Sequence, residues 1–318
     1  MDRKVFVSEL KRQTEIAEYV VLKYLPDPED KFQQSVIEAM NYSVTVGGKR
    51  LRPLLMQETY RMFRGQDEII EPFMAAIEMI HTYSLVHDDL PAMDNDTLRR
   101  GKETTWKKYG EAMAILAGDG LLNYAYETAI KSFDLIEKEG DQYGAGPETI
   151  TSRYQSCAKA MSILTQKAGI FGMVGGQCLD VEAEKKDLDL TEEQLLFIHE
   201  HKTAALIQAS FMIGGALAGA GKRQIERLEK IGYNIGVAFQ IRDDCLDVIG
   251  DTETLGKNVG SDEKDGKKTY VTLHGLEQSD GYFSAVYNML HITRIKNIKF
   301  FWNAAYIFRS KPPESFAV

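Results

Sequence analysis

The sequence predicts an all-α fold, on three observations. Apolar residues recur at helical spacing over long segments, for example Phe73–Val86 and Gly232–Val248. Alternating apolar and polar runs joined by tight turns, which are typical of hairpins, are scarce. The 318 residues are 44% hydrophobic, a composition typical of a globular chain that buries a large core.

The predicted helices are separated where glycine, proline and charged residues gather. Most of these breaks have ordinary lengths, but the last is longer and rich in lysine, so we interpret it as a candidate lid over a site. The breaks are Gly47-Gly48, Arg64–Asp67, Gly140–Pro147, Lys185–Leu190 and Gly250–Lys268.

Composition excludes several classes of protein. A net charge of −9 and a pI near 5.3 argue against nucleic-acid binding, which normally needs a basic face. The three cysteines lack the spacing of zinc sites or disulfide frameworks, and the amino terminus lacks a signal peptide, so we expect a cytoplasmic protein. The membrane look-alike Ala204–Gly221 is short and rich in small residues, so we interpret it as an interior helix rather than a membrane span.

An acidic cluster formed by Asp243, Asp244 and Asp247 lies within an apolar stretch of predicted helix. Four residues advance about 400° around a helix, so Asp243 and Asp247 lie about 40° apart on one face. The alternative, a solvated acidic stripe, would have polar neighbours. Because carboxylates in apolar surroundings need a neutralising cation, the pattern indicates bound metal.

A second acidic cluster, Asp88, Asp89 and Asp94, ends another apolar helix. Pro91 interrupts the helix, and a break there would return Asp94 toward Asp88. The alternative is a plain run of surface charge. Ligands that are all oxygen favour Mg²⁺, which completes its coordination with water and phosphate oxygens. Together the two clusters predict a magnesium-bound diphosphate.

Basic residues suited to phosphate lie close to the Asp88–Asp94 cluster in the sequence. Arg99 and Arg100 follow it directly, and guanidinium groups bind phosphate oxygens in pairs. The segment Gly47-Gly48-Lys49-Arg50-Leu51-Arg52-Pro53 places three cations after glycines that permit close backbone approach. It lacks the pattern of a nucleotide-binding phosphate loop, so a nucleotide site is not predicted.

Six motifs occur in order along the chain: Gly47–Pro53, His87–Asp94 with Leu98–Gly101, Gly175-Gly176-Gln177, His201-Lys202-Thr203, Phe239–Asp247 and Gly256-Lys257. Together they resemble the motifs of the trans-isoprenyl diphosphate synthases. The resemblance covers roughly residues 1–278. The resemblance implies a single bundle of antiparallel helices around a deep cavity, a homodimer, and head-to-tail condensation of an allylic diphosphate with isopentenyl diphosphate.

The same resemblance implies a role for each residue. Asp88, Asp89 and Asp94 hold two Mg²⁺ ions, and Asp243 holds a third with Asp244 and Asp247 close by. The allylic diphosphate is bound by Arg99, Lys202 and Lys257, and isopentenyl diphosphate by Lys49, Arg52, His81 and Arg100. Thr203 and Gln240 present oxygen dipoles to the allylic cation. Structural alternatives exist: His81 as a core histidine, Lys202 as a capping residue, and Gly175-Gly176 as a helix-packing pair. Gln177 and Asp180 receive no role.

Product length depends on the residues beneath the Asp88–Asp94 cluster. Five helical residues span about 7.5 Å, so Tyr83 and Ser84 lie near the floor that a growing hydrocarbon chain meets below Asp88. An aromatic residue here, together with the two-residue insertion in the Asp motif, resembles bacterial farnesyl diphosphate synthases. A geranylgeranyl diphosphate synthase is the alternative.

Three other functions compete with this interpretation. A class I terpene cyclase would replace the Asp243–Asp247 cluster by a different metal motif. A di-iron carboxylate protein needs two Glu-x-x-His motifs, whereas this chain has Glu78-Met-Ile-His81 alone. A weakly active or regulatory synthase subunit would normally have lost one Asp cluster, and both are present.

The segment 279–318 differs from the family pattern. Residues 281–318 contain five Lys or Arg and one acid, Glu314, where the family continues with acidic, alanine-rich helices. Two hypotheses fit this change: a shifted reading frame that replaced the original end, or a lineage-specific helix that docks on the bundle. The first predicts lower stability and activity.

Overall fold

The protein is described by a computed structural model over residues 3–28, 32–186, 188–249 and 268–282. These residues are mostly helical, and the strands among them form one short hairpin. The helices are α1 Arg3–Lys23, α2 Gln34–Thr45, α3 Leu51–Met62, α4 Glu71–Asp88, α5 Thr105–Tyr109, α6 Glu111–Tyr143, α7 Pro147–Ala168, α8 Met173–Lys186, α9 Glu192–Ile198, α10 Ala205–Leu217, α11 Lys222–Ile249 and α12 Tyr270–His274, with β1 Leu98–Arg99 paired to β2 Lys102–Glu103.

Residues 276–282 are also helical, and two short irregular helices are present as well. A 3₁₀ turn, Glu68–Ile70, leads into α4, and a π-helical segment, His199–Ala204, joins α9 to α10. The helices predicted at Phe73–Val86 and Gly232–Val248 are confirmed within α4 and α11. The π-helical segment was not predicted.

The described residues form two compact units. The first comprises those of Met1–Ser162 and Ile213–Ala220, and the second those of Ile163–Met212 and Gly221–Ala317. Residues 250–267, which include Lys257 and most of the candidate lid, lie outside the described residues, as does the atypical tail from residue 283 onward.

Helix α4 is the central element of the first unit. It packs against α6, α3, α1 and α2, and every residue from Phe73 to Ile80 is buried, including Glu78. A helix that is apolar on all sides belongs in a core or in a membrane. The segment Glu68–Asp88 has the length and composition of a membrane span, and 78% of its apolar window is buried inside the protein. The sequence analysis had instead identified Ala204–Gly221 as a segment that resembles a membrane span and interpreted it as an interior helix. Its residues 204–216 are buried.

In the second unit, α8 and α11 pack against the π-helical segment. Glycines permit these contacts. A Cβ on Gly176 would lie 2.2 Å from the backbone nitrogen of Lys202, and one on Gly236 would lie 2.3 Å from the Cβ of Ala204. Both distances are far below van der Waals contact, so each glycine is needed for close packing. Gly176 therefore packs as the helix-packing interpretation predicts.

Candidate active site

The Asp88–Asp94 cluster lies at the carboxyl end of α4. Asp88 is the last helical residue, and the chain then turns so that the backbone N–H of Asp94 donates to the carbonyl of Asp88 at 2.9 Å. Asp94 therefore returns to the helix end, as the position of Pro91 had suggested. Asp88 is half-buried and Asp94 is exposed, which brings two carboxylate-bearing residues together at one helix end. Such oxygen donors suit Mg²⁺.

Asp89 is the buried member of this cluster. Its carboxylate accepts hydrogen bonds from Arg99 Nε, at 2.8 and 3.0 Å, and from Arg99 Nη2 at 2.5 Å. Burial raises the pKa of Asp89, and the bonds to Arg99 oppose that rise. A predicted metal ligand and a predicted diphosphate-binding cation thus bind each other in this structure. Their proposed roles toward metal and substrate remain predictions.

A tight hairpin positions Arg99 and Arg100. Residues Arg100 and Gly101 connect β1 to β2 with φ values of 53° and 73°. Two consecutive residues with positive φ are typical of a type I′ turn. The turn directs Arg99 toward Asp89, while the guanidinium of Arg100 lies against Gly48, whose hypothetical Cβ would stand 2.6 Å from Nη1. Gly48 therefore leaves the space that Arg100 occupies.

A cation cluster forms around Arg52, His81 and Arg100. Burial, and then the charges of Arg52 and Arg100, lower the pKa of the His81 imidazole well below its usual range. Burial also lowers the pKa of Arg52 to about 10, although Glu78 partly offsets this. Within the described residues the buried Nε of Arg52 has no hydrogen-bond partner. Crowded cations with an unsatisfied donor favour an anion in this cluster.

Arg50 does not belong to that cluster. It precedes α3 with a left-handed φ of 47°, and its side chain is fully buried. Its guanidinium binds Glu78 Oε1 at 2.8 Å, the carbonyl of Val44 at 2.6 Å and the carboxylate of Glu18. The prediction that Lys49, Arg50 and Arg52 project together is wrong for Arg50, because two carboxylates draw it into the core. Lys49 is exposed.

Tyr83 and Ser84 lie on α4 below the Asp88–Asp94 cluster. Tyr83 is buried, its ring contacts His87 edge-on at 5.8 Å between centroids, and burial raises its pKa to about 12. His87 in turn occupies space left by Gly118, whose hypothetical Cβ would lie 2.1 Å from Nε2. Ser84 is half-buried and donates to the carbonyl of His81 at 2.9 Å. A neutral, buried ring therefore stands where the sequence predicts the floor.

The second unit carries the other predicted site residues. Lys202 and Thr203 lie on the π-helical segment, a conformation often found at functional sites. Lys202 Nζ donates to Asp180 Oδ2 on α8 at 2.6 Å. The Thr203 hydroxyl donates to Gln240 Oε1 at 2.8 Å. Asp180, left without a role by the sequence, is therefore the direct partner of a predicted diphosphate-binding lysine.

The acidic residues of α11 have different surroundings. Asp243 is half-buried, whereas Asp244 and Asp247 are 5% and 3% exposed. Asp244 accepts hydrogen bonds from Gln240 Nε2 and from the backbone N–H of Tyr270, both at 3.1 Å. Over the described ranges no three Asp, Glu, His or Cys side chains converge on one metal position. Mg²⁺ is compatible with this arrangement, because it is normally held by one or two carboxylates, water and phosphate.

A large cavity of the first unit lies elsewhere. It measures 1110 Å³ and is lined by the end of α3, the turn before α4, and parts of α6 and α7. The 18 residues of α4 separate that turn from Asp88 by about 27 Å at 1.5 Å per residue. The cavity is therefore remote from the Asp88–Asp94 cluster.

Comparison with known protein families identifies the family to which these site residues belong. The polyprenyl synthetase family profile matches residues 33–299. The chain belongs to the polyprenyl synthetase family. The matched region includes both acidic clusters, the cation cluster and the π-helical segment.

Individual family members match over most of the chain. A farnesyl diphosphate synthase of Geobacillus stearothermophilus is 44% identical over 271 residues, which cover 85% of this chain and 84% of that protein. A geranylgeranyl diphosphate synthase of Cyanophora paradoxa is 43% identical over 275 residues, 85% of this chain and 83% of that protein. A solved geranyltransferase from Helicobacter pylori, complexed with magnesium and isoprenyl diphosphate, is 30% identical, with a TM-score of 0.77 over 95% of this chain and 97% of that chain.

These likenesses confirm the predicted family, the all-α fold and the enzyme class, a prenyltransferase that acts on isoprenyl diphosphates. Sequence reasoning missed two features of the site, the π-helical segment and the pairing of Asp180 with Lys202. The Gln177-x-x-Asp180 spacing on α8 was the available signal for the second.

Proposed function

We propose that this polyprenyl synthetase is a magnesium-dependent farnesyl diphosphate synthase. It condenses isopentenyl diphosphate with dimethylallyl diphosphate and then with geranyl diphosphate. The observation that carries this proposal is Tyr83, a buried ring about one and a half turns below Asp88 on α4. Its position limits the chain that can grow beneath the Asp88–Asp94 cluster. The farnesyl-forming relatives at 44–46% identity support the same product.

The residues of the chain bind the two substrates by charge. Arg99, Lys202 and Lys257 grip the allylic diphosphate, and the cation cluster with Lys49 binds isopentenyl diphosphate. Asp88 and Asp94 would hold two Mg²⁺ ions, and Asp243 would hold a third. Bound Mg²⁺ would neutralise the diphosphate and stabilise its departure. The allylic C–O bond breaks with its electron pair on the leaving diphosphate, and fixed cations stabilise that developing charge.

The remaining steps need orientation and one proton acceptor. The double bond of isopentenyl diphosphate supplies the electron pair of the new C–C bond to the allylic cation. Thr203 and Gln240 direct oxygen dipoles toward that cation, which stabilises its positive charge. The released diphosphate accepts the proton that restores a double bond. The burial that keeps His81 neutral makes the imidazole a hydrogen-bond donor rather than an added charge in the second substrate pocket.

The proposal includes the state and place of the enzyme. We infer a homodimer in the cytoplasm. A geranylgeranyl diphosphate synthase is the second candidate, favoured by the Cyanophora paradoxa relative at 43% identity. A weakly active or regulatory subunit is the third, favoured by the basic, aromatic composition of residues 281–318.

A product-length assay tests the proposal. Radiolabelled isopentenyl diphosphate and Mg²⁺ are supplied with dimethylallyl, geranyl or farnesyl diphosphate as the second substrate. We expect farnesyl diphosphate from the first two and negligible extension of the third. Geranylgeranyl diphosphate as the main product would replace the proposal by the second candidate, and absence of any product by the third. An Asp88→Asn variant is the matched control for loss of a proposed metal ligand, and it should form less product at the same Mg²⁺ concentration.

A further inference from the structure

Four residues of the second unit form a continuous chain of hydrogen bonds. The Thr203 hydroxyl donates to Gln240 Oε1 at 2.8 Å, and Gln240 Nε2 donates to Asp244 Oδ1 at 3.1 Å. The backbone N–H of Tyr270 donates to Asp244 Oδ2, also at 3.1 Å. Both oxygens of this 5% exposed aspartate thus accept from protein donors. His199 Nε2, 3.8 Å from Oδ2, lies beyond hydrogen-bonding distance.

The carboxylate of Asp244 determines which group donates and which accepts in each of these hydrogen bonds. An aspartate carboxylate can only accept hydrogen bonds, so Gln240 must turn its NH₂ group toward Asp244. The amide oxygen of Gln240 then faces Thr203, whose hydroxyl proton is committed to it. The remaining lone pairs of the threonine oxygen stay available as acceptors. Asp244 therefore fixes the polarity of two groups that the proposed function places beside the allylic cation.

The hydrogen bond between Asp244 and the backbone of Tyr270 anchors the start of a helix. Tyr270 is the first residue of α12, and the four leading N–H groups of a helix need external acceptors. Thr269 and Thr272 form a capping box at this terminus, and Asp244 satisfies a further N–H. Asp244 thereby joins α11 to α12 as well as to Gln240. Asp243, one residue earlier, is half-buried instead.

We propose that Asp244 is a positioning residue, which orients Gln240 and Thr203 toward the allylic cation, rather than a magnesium ligand. The inference rests on the proposed function. It separates the roles of adjacent aspartates: Asp243 contributes to metal binding, whereas Asp244 acts through Gln240. It also requires one orientation of the Gln240 side-chain amide, with the oxygen toward Thr203, and excludes the flipped orientation.

Asp244→Asn and a charge-conserving double variant test the proposal. In the single variant the oxygen of the introduced asparagine still accepts from Tyr270, but its NH₂ group faces Gln240 and forces that amide to flip. In Asp244→Asn/Gln240→Glu the introduced carboxylate accepts both from the asparagine NH₂ group and from Thr203, so the polarity and net charge return. Gln240→Glu alone places two carboxylates against each other. Asp243→Asn is the matched control for loss of a metal ligand.

We expect Asp244→Asn to lower kcat about tenfold to a hundredfold, the range for displaced reacting groups. Its KM for isopentenyl diphosphate and its half-saturating Mg²⁺ concentration should stay within about twofold of wild type. The double variant should recover part of the lost kcat, and Asp243→Asn should raise the Mg²⁺ requirement. A rise in Mg²⁺ requirement for Asp244→Asn equal to that of Asp243→Asn, or no recovery in the double variant, would overturn the proposal.

A second measurement needs no turnover. Calorimetric titration with inorganic diphosphate at several Mg²⁺ concentrations reports metal-assisted binding directly. Asp244→Asn should retain the Mg²⁺ dependence of wild type, and Asp243→Asn should weaken it. If wild type binds diphosphate with Mg²⁺ but forms no prenyl product, the proposed function fails. Equal loss of Mg²⁺-dependent binding in both variants refutes the role of Asp244 alone.

Discussion

Arg50 and Glu78 form an ion pair inside the first unit, with Nη1 and Oε1 2.8 Å apart and side chains 0% and 3% exposed. The pair lies close to the cation cluster, since burial lowers the pKa values of Arg52 and Arg100 and the negative charge of Glu78 partly offsets that lowering in both. Glu78 lies on the buried α4 helix, one turn before Thr82. The pair therefore ties the start of α3, which carries Arg52, to the helix that carries the Asp88–Asp94 cluster.

Removing one partner of this pair should be costly. Arg50→Met leaves Glu78 buried without its cation, and we expect a loss of about 3–5 kcal/mol in unfolding free energy. Arg61→Met is the matched control, since Arg61 forms an exposed pair with Glu58 at 2.8 Å and should cost about 1 kcal/mol or less. Urea denaturation measures both. If both variants lost the same unfolding free energy, the buried pair would contribute no more to stability than the exposed pair.

Tyr83 should set product length. Tyr83→Ala removes a buried ring below Asp88, so the hydrocarbon chain gains room and we expect products longer than farnesyl diphosphate. Ser84→Ala removes only a hydroxyl that bonds within α4 and should leave the distribution unchanged. Chromatography of the labelled products compares them. An unaltered profile for Tyr83→Ala would refute the assignment of the floor.

Gly176 should be essential to the π-helical segment. In Gly176→Ala the new methyl meets the backbone of Lys202 at 2.2 Å, and overpacking against backbone typically costs about 1–3 kcal/mol. The shift should also displace Lys202 and lower kcat. Gly146→Ala, where nothing lies within 4 Å of the added methyl, serves as the control. Thermal melts and steady-state kinetics would contradict the prediction if the two variants behaved alike.

Thiol reactivity should distinguish the three cysteines. Cys178 is exposed, whereas Cys157 and Cys245 are buried and their pKa values are raised to about 12 and about 11 by burial. The thiolate is the reactive form. A thiol reagent at neutral pH should therefore modify Cys178 in the native protein and the other two after unfolding. Mass spectrometry identifies the sites, and rapid native labelling of Cys157 would disprove the prediction.

Acid should destabilise the protein through His199. Burial lowers its pKa to about 4 from the ordinary 6.5, so between these values the unfolded chain binds a proton that the folded protein does not. Stability is therefore full above pH 6.5 and falls as pH drops toward 4, by roughly 3 kcal/mol. His81 contributes with the same sign. His199→Gln should show a shallower decline in denaturation from pH 6.5 to 4.5, and an unchanged slope would contradict this.

Helical periodicity was sufficient for the long elements and insufficient where partners are remote. The apolar patterns around Phe73 and Val237 predicted α4 and α11, because burial of one face imposes the pattern. Arg50 resembled its neighbours Lys49 and Arg52 in sequence. Its burial depends on Glu18 and Glu78, which lie 32 and 28 positions away, and no local pattern encodes that.

The apolar periodicity of the sequence also did not predict the π-helical segment or the hairpin. The π-helical segment packs closely against Gly176 and Gly236, residues of two other helices, and no apolar period in its own sequence signals the change of helix type. The hairpin uses Arg100-Gly101 where Asn-Gly is the usual signal for a type I′ turn. Within the site, residue types predicted the charges, but only the structure pairs Arg99 with Asp89 and Lys202 with Asp180.

The rate of isopentenyl diphosphate condensation, followed as free Mg²⁺ is removed and restored, tests the proposed chemistry most directly. We expect chelation to abolish product formation with dimethylallyl and geranyl diphosphate, and added Mg²⁺ to restore it. Asp88→Asn and Asp243→Asn should each raise the Mg²⁺ concentration required. Product formation that persists in metal-free protein, or that is indifferent to both substitutions, would contradict a magnesium-dependent ionisation.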